Sequence, residues 1–266
     1  MKEPGKGPAL LRSHNQRRVI AEMRRRKATS RQDLSAALTL SKNTVSLIID
    51  DLLALGLVDE RGPLNKPLVG RPKIEISLRA EKLLSAGIMV ERDRIHWSIC
   101  DCFSGVVEEK IIPLQNHQVE SVLEQLADIC RTLTKAWPAL QGIAIGLPGI
   151  VDTSRGWLHL SIPLGWHDVD LMGYLQPVTK LPLMMLNNVK AAALLAVQQA
   201  QLDHTSSNFY LRIAEGVGGA LVQLGRLMYG ASWTAGDVGQ LTLVSAGSLC
   251  LCGPRARRVG VCIVAS

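Results

Sequence analysis

Between Ser30 and Leu53 the apolar residues fall twice at helical intervals, each time directly after a serine placed to cap a helix. Ser30-Arg31-Gln32-Asp33 has the form of a capping box, in which a serine and a polar residue three positions on satisfy amides that the helix leaves unpaired. Leu34, Ala37 and Leu38 then supply the inner face of a short helix ending near Thr39. Ser41 can cap the next helix, where Val45, Ile48, Ile49, Leu52 and Leu53 follow the i, i+3, i+4, i+7, i+8 spacing of a buried stripe. That spacing leaves Lys42, Asn43, Thr44, Ser46 and Leu47 facing outward. Two such short helices need a third to bury against, and Val19, Ile20 and Met23 predict one over Asn15 to Arg26.

Beyond Gly56, Leu57-Val58 and the alternating Ile74, Ile76 and Leu78 predict the two strands of a hairpin. The loop between them carries Arg61, Lys66, Arg71 and Lys73, with Gly70-Arg71-Pro72 fixing a turn at its end. Charge follows the same division. Residues 1–82 hold 17 lysines and arginines against 9 acids, whereas the remainder holds 13 against 14, so all of the net +7 originates in the first third. A concentrated basic surface releases counterions when it meets a polyanion, although a solvated basic tail has the same charge. The pattern favours nucleic acid, because a second helix opening with small polar and basic residues is what a major groove accepts. Residues 1–82 are therefore expected to form a winged helix-turn-helix for double-stranded DNA. Ser41, Lys42, Asn43, Thr44 and Ser46 would sit at the groove, and Arg61, Lys66, Arg71 and Lys73 along the phosphates. Aligning two recognition helices on a repeated site calls for a homo-oligomer.

From about Leu83 the texture changes to glycine- and Val/Ile-rich segments, the mark of a second domain. Strands are expected at Leu84–Val90, Arg94–Cys100, Val106–Leu114, Ile143–Gly146, Leu183–Leu186, Asn208–Ile213 and Ala220–Leu224. Helices are expected around Val122–Leu133 and Lys190–Gln201, and a turn at Gly216–Gly219. This is α/β order, and 47% hydrophobic content in 266 residues can supply its core. A polar start from Met1 to His14 and no run of eighteen apolar residues point to a cytoplasmic chain with no membrane partner. Six cysteines without an evident disulfide framework fit reduced thiols.

Several local patterns resemble one family in order and spacing: Ser30-Arg31 through Leu57-Val58, Gly70-Arg71-Pro72, the run from Gly142 to Asp152, Asn187-Asn188, and Gly225 through Gly239. The family is the ROK group of repressors, open reading frames and sugar kinases. Its repressor branch joins a winged helix-turn-helix to a sugar-kinase-like domain of the actin/hexokinase, ribonuclease H-like fold. The resemblance implies such a domain over residues 83–253, and a sugar or sugar derivative as the ligand that tunes a repressor.

The same resemblance argues against phosphoryl transfer. The family's kinases carry a glycine-containing phosphate loop where this chain reads Glu91-Arg92-Asp93-Arg94, and a catalytic aspartate where it reads Asn188. An amide cannot accept a proton as a carboxylate does. No catalytic residue is assigned, and a carbohydrate kinase with an accessory domain is the alternative. By resemblance Asn187, Asn188, Asp237 and Gln240 are the sugar-contact candidates. Cys250 and Cys252 match the start of the family's zinc motif, but the next cysteine, Cys262, is out of register and Gln240 replaces the histidine ligand. By resemblance Cys250 and Cys252 are the candidate zinc ligands, two of the four donors that a closed site needs, so the motif is incomplete. Residues 254–266 depart from the family pattern, which implies a sensor domain lacking its closing part; a relic that keeps DNA contacts without sensing is a third reading.

Overall fold

A computed structural model describes residues 6–63, 73–202, 206–214 and 216–240. Its contacts divide the chain into two compact units, one of residues 1–85 with 99–108 and 137–141, the other of 86–98, 109–136 and 142–266.

The first unit opens with α1 (Lys6–Arg26), followed by β1 (Ala28–Thr29), α2 (Arg31–Leu38), α3 (Lys42–Ala54), β2 (Val58–Pro63) and β3 (Ile74–Leu78). Helix α1 begins nine residues before its expected start. Pro8 lies in its first turn, where a missing N–H costs no intrahelical bond. Leu10 and Leu11 stay exposed, so no buried stripe marks that half in the sequence. Ser30 and Ser41 cap α2 and α3 as their spacing predicts, and α2 stops at Thr39, whose φ of 54° is left-handed. Val19 and Met23 of α1, Leu34 of α2, and Val45, Ile48, Ile49 and Leu52 of α3 form one buried cluster with Val58, Ile76 and Leu78. Cys102 and Phe103 pack against it from a turn at residues 101–105.

Strand β3 lies between β1 and β2. The two-residue β1 is too short to show alternation, and exists because Ala28 and Thr29 pair with Ser77 and Ile76. Arg61 is a correction. It lies within β2 opposite Glu75, not in the connecting loop, because antiparallel pairing continues to Pro63 past a shift in register.

In the second unit, β4 (Leu84–Val90), β5 (Arg94–Cys100), β6 (Val106–Pro113), β7 (Leu140–Leu147) and β11 (Leu183–Asn187) form a sheet in the order β11-β7-β4-β5-β6, with β11 parallel to β7. Strands β4 to β7 each contain residues of both units. Helix α4 (Val119–Ala136) buries Val122, Leu126, Ile129 and Leu133 at helical spacing. Strands β8 (Ile150–Asp152), β9 (Trp157–Ser161) and β10 (Trp166–Asp170) form a separate antiparallel sheet that sequence periodicity did not predict, and the short α5 (Leu171–Leu175) follows. Helix α6 (Asn188–Gln199) packs Ala193 and Val197 against Ala220, Val222 and Leu227 of a third sheet. That sheet contains β12 (Ser207–Ile213), β13 (Val217–Gln223) and β14 (Arg226–Leu227), in that order.

The expected turn at Gly216–Gly219 is also corrected, since Val217 already begins β13. Glycine suits both positions in the strand, since an added Cβ would press on Val189 at 218 and overlap Phe209 and the Gly236 carbonyl at 219.

Candidate functional site

The first cluster lies where α2 meets α3. Ser30 Oγ accepts the Asp33 amide (3.2 Å) and donates to Asp33 Oδ2 (2.7 Å). Ser41 Oγ accepts the Thr44 amide (3.0 Å) and is 2.8 Å from Thr44 Oγ1. Two of the five expected groove residues, Ser41 and Thr44, thus help to start α3. Lys42 and Asn43 are exposed on its first turn, Ser46 is half-buried, and Leu47 is 55% exposed one turn on. Arg31, Gln32, Lys42 and Ser46 line a notch of about 250 Å³. Gln32 was not singled out from the sequence; its place as the second residue of α2, two positions after the cap, was the available signal.

Ion pairing divides the basic residues into those the fold uses and those left free. Arg31 reaches Asp50 of α3 (2.7 Å) and Glu60 of β2 (2.6 Å), which joins three elements through one guanidinium. Lys73, an expected phosphate contact, donates to Asp33 Oδ1 (2.6 Å) and so ties the residue before β3 to α2. Arg12 pairs with Asp51, Arg18 donates to the Leu38 carbonyl (2.8 Å), and Arg25 and Arg26 both hold Glu22. Lys42 and Arg61 have no ion-pair partner among the described residues. Lys66 and Arg71 lie outside the described residues.

Hydrogen bonds from Lys73 and then Ser30 hold the Asp33 carboxyl below its ordinary value. The folded chain therefore binds this proton more weakly than the unfolded one. The stabilisation is present above the ordinary carboxylate value and is lost as pH falls through the lowered one. Asp33→Asn is expected to cost about 1 kcal/mol at pH 7. Urea unfolding should show that difference shrinking below about pH 4; an equal cost at pH 3 would contradict the assignment.

The second cluster surrounds the first turn of α6. Asn187 caps the helix, its Oδ1 accepting the amides of Val189 (2.8 Å) and Lys190 (3.1 Å) while its Nδ2 donates to the Gly149 carbonyl (2.8 Å). Asn188 is half-buried, and its amide makes no hydrogen bond among the described residues. Val189 packs over Gly218 of β13, and Gly239 sits against the Val217 carbonyl, so α6, β13 and the segment before Gln240 meet. Asp237 is open to solvent on one side. Its packed surroundings push the carboxyl above the ordinary range, against the Gly239 amide and the Lys190 ammonium.

Lys190 itself was missed. It is 5% exposed, its ammonium donates to the Trp233 carbonyl, and it lies 5.5 Å from the Tyr229 ring centroid. Its signal was the i, i+3, i+7 relation to Ala193 and Val197, which places it on the buried face.

The Gln240 side chain, Cys250 and Cys252 lie outside the described residues. Among those described, no group of three or more His, Cys, Asp or Glu side chains gathers to hold a metal. No described helix is long and apolar enough to cross a membrane.

The pattern described as ROK family matches residues 85–259, well over half of the chain. This chain belongs to the ROK family. The xylose repressor of Caldicellulosiruptor bescii is 28% identical over 249 residues, which cover 92% of this chain and 62% of that repressor. The glucokinase of Halalkalibacterium halodurans is 31% identical over 115 residues, 43% of this chain and 35% of the kinase. A solved ROK family transcriptional regulator, a homologue of the Escherichia coli Mlc protein, superposes with a TM-score of 0.71 at 21% identity, covering 85% of this chain and 58% of that one. The chain thus spans less than two thirds of the repressor's length, and the structural likeness supports an α/β ROK fold.

Proposed function

We propose that this ROK protein is a cytoplasmic, sugar-responsive repressor without kinase activity that binds double-stranded DNA as a homo-oligomer. In this reading residues 1–82 are a winged helix-turn-helix, residues 83–253 the sugar sensor and 254–266 an atypical tail. The observation that carries it is the capped α2–α3 pair, which presents unpaired Lys42 and exposed Asn43 on one first turn. A helix start with a free cation and an amide can meet a phosphate and a base edge together. The xylose repressor's similarity over 92% of this chain supports the same reading.

On the sensor side, Asn187, Asn188, Asp237 and Gln240 are proposed as sugar contacts. Asn187 serves by building the turn, whereas Asn188 and Asp237 offer unused hydrogen-bonding capacity to hydroxyls. Zinc at Cys250 and Cys252 is not part of the proposal. Kinase activity is disfavoured by the tight turn after β4, where the Glu91 amide donates to the Arg94 carbonyl and their side chains pair. Long charged side chains occupy that turn where close backbone approach to phosphates would be needed.

Selection of genomic duplexes, followed by anisotropy titration of the full chain at several salt concentrations, tests the function. A preferred sequence whose affinity falls steeply with salt is expected. Binding without any sequence preference, or ATP turnover with a panel of aldoses, would overturn it.

A further inference from the structure

Lys190 is the described residue whose burial is hardest to explain by packing alone. Removing an ammonium from water is strongly unfavourable unless the site compensates it. Here the compensation comes from one segment, through the Trp233 carbonyl and the face of Tyr229. Tyr229 and Trp233 stack edge to face with centroids 5.2 Å apart, so the two groups that receive the ammonium brace each other. The segment then turns through Gly236 at a φ of 86°, too close to Ala220 and Gly219 for a side chain. Asp237 follows directly, its amide donating to the Thr234 carbonyl (3.0 Å). A buried cation on α6 therefore grips the stretch that ends in an accessible carboxylate.

We propose that Lys190 is a positioning residue for the ligand site: by gripping residues 229–233 it holds Asp237 near the first turn of α6, the turn that also carries Asn188. This rests on the reading of that turn as the sugar contact. The Lys190 ammonium has a second effect, since its field favours the ionised carboxylate that accepts a hydroxyl hydrogen bond. It is the charged side chain acting on Asp237 among the described residues; the Gly239 amide supports the same charge, and Tyr229 is the titratable group against Lys190 itself.

The test uses the full chain carrying Lys190→Met, which keeps the length and removes the charge. Carbon-13 NMR should show Asp237 titrating at higher pH than in the unaltered chain, and the near-ultraviolet circular dichroism of Tyr229 and Trp233 should change. D-xylose and N-acetylglucosamine serve as probes, with affinity followed from pH 4 to 8. Binding that weakens about tenfold at neutral pH, with its acid midpoint moved upward, is expected for the loss of one charge-supported contact. A purely structural role would weaken binding equally at every pH. Tyr229→Leu, which keeps the ammonium but removes the ring, covers the case in which Lys190→Met fails to unfold cooperatively, and should change affinity while leaving the acid midpoint close to that of the unaltered chain. An unmoved Asp237 titration in Lys190→Met, or unchanged sugar affinity in both variants, would overturn the proposal. If the unaltered chain binds neither sugar while Asp237 still shifts, the positioning holds and the choice of ligand fails.

Discussion

Replacing Lys42 and Asn43 together by alanine is expected to weaken binding to a selected duplex by about a hundredfold while leaving the thermal unfolding of the chain within a few degrees. Both side chains are exposed, and no ion pair or side-chain hydrogen bond to either is found among the described residues, so little folding energy is at stake. Asn43 supplies the base-edge share, in which one good contact is worth about 1–3 kcal/mol of discrimination. Lys42 supplies a phosphate contact, whose loss should lower the salt slope by about one counterion. The single changes separate the two roles. Asn43→Ala should relax sequence preference at an unchanged salt slope, and Lys42→Ala should weaken all duplexes alike. Equal affinity of the double variant and the unaltered chain would remove α3 as the reading helix. Arg31→Ala is the contrast, because its guanidinium is spent on Asp50 and Glu60 and its loss should reduce stability as well as binding.

Gly149→Ala should be the most damaging single change in the second unit. Gly149 has a φ of 127°, a left-handed conformation that side chains rarely adopt, and an added Cβ would overlap the Leu160 carbonyl oxygen. Relief requires β9 to move away or Gly149 to withdraw, and withdrawal pulls its carbonyl from Asn187, which caps α6. Backbone strain and overpacking together are expected to cost about 3 kcal/mol or more. Gly165→Ala is the control: its φ is 70°, but an added Cβ meets nothing within 4 Å, so only about 1 kcal/mol is expected. Limited proteolysis should cut Gly149→Ala between residues 142 and 200 well before the control. Equal resistance of the two variants would show that the close approach to β9 is not what positions Asn187.

Both helix caps, the buried stripe of α3 and the bounds of β4 and β5 were legible in the sequence because each depends on neighbours within a few positions. A serine at the N-cap bonds an amide three residues on, and a stripe needs only the 3.6-residue period. The exposed half of α1 was not legible, since periodicity reports burial and residues 10–14 are all exposed. Strands β1 and β8 are also too short for alternation, and exist through partners elsewhere in the chain.

At the candidate sites the division is similar. The capped turn holding Ser41 to Ser46 came from local pattern, because a cap and its first turn are contiguous, whereas Asn187 and Asn188 were singled out by resemblance and the helix was expected two residues later than it starts. Which charges remain available is a tertiary outcome. Lys73 was expected at the phosphates, yet it pairs with Asp33 forty residues away, Arg31 pairs with Asp50 and Glu60, and Lys42 and Arg61 have no such partner among the described residues. Coulomb attraction and hydrogen bonding depend on distance in space, to which sequence separation is no guide. For the same reason the helical period could place Lys190 on the buried face of α6, but only the folded chain brings Trp233, Tyr229 and Asp237 to it.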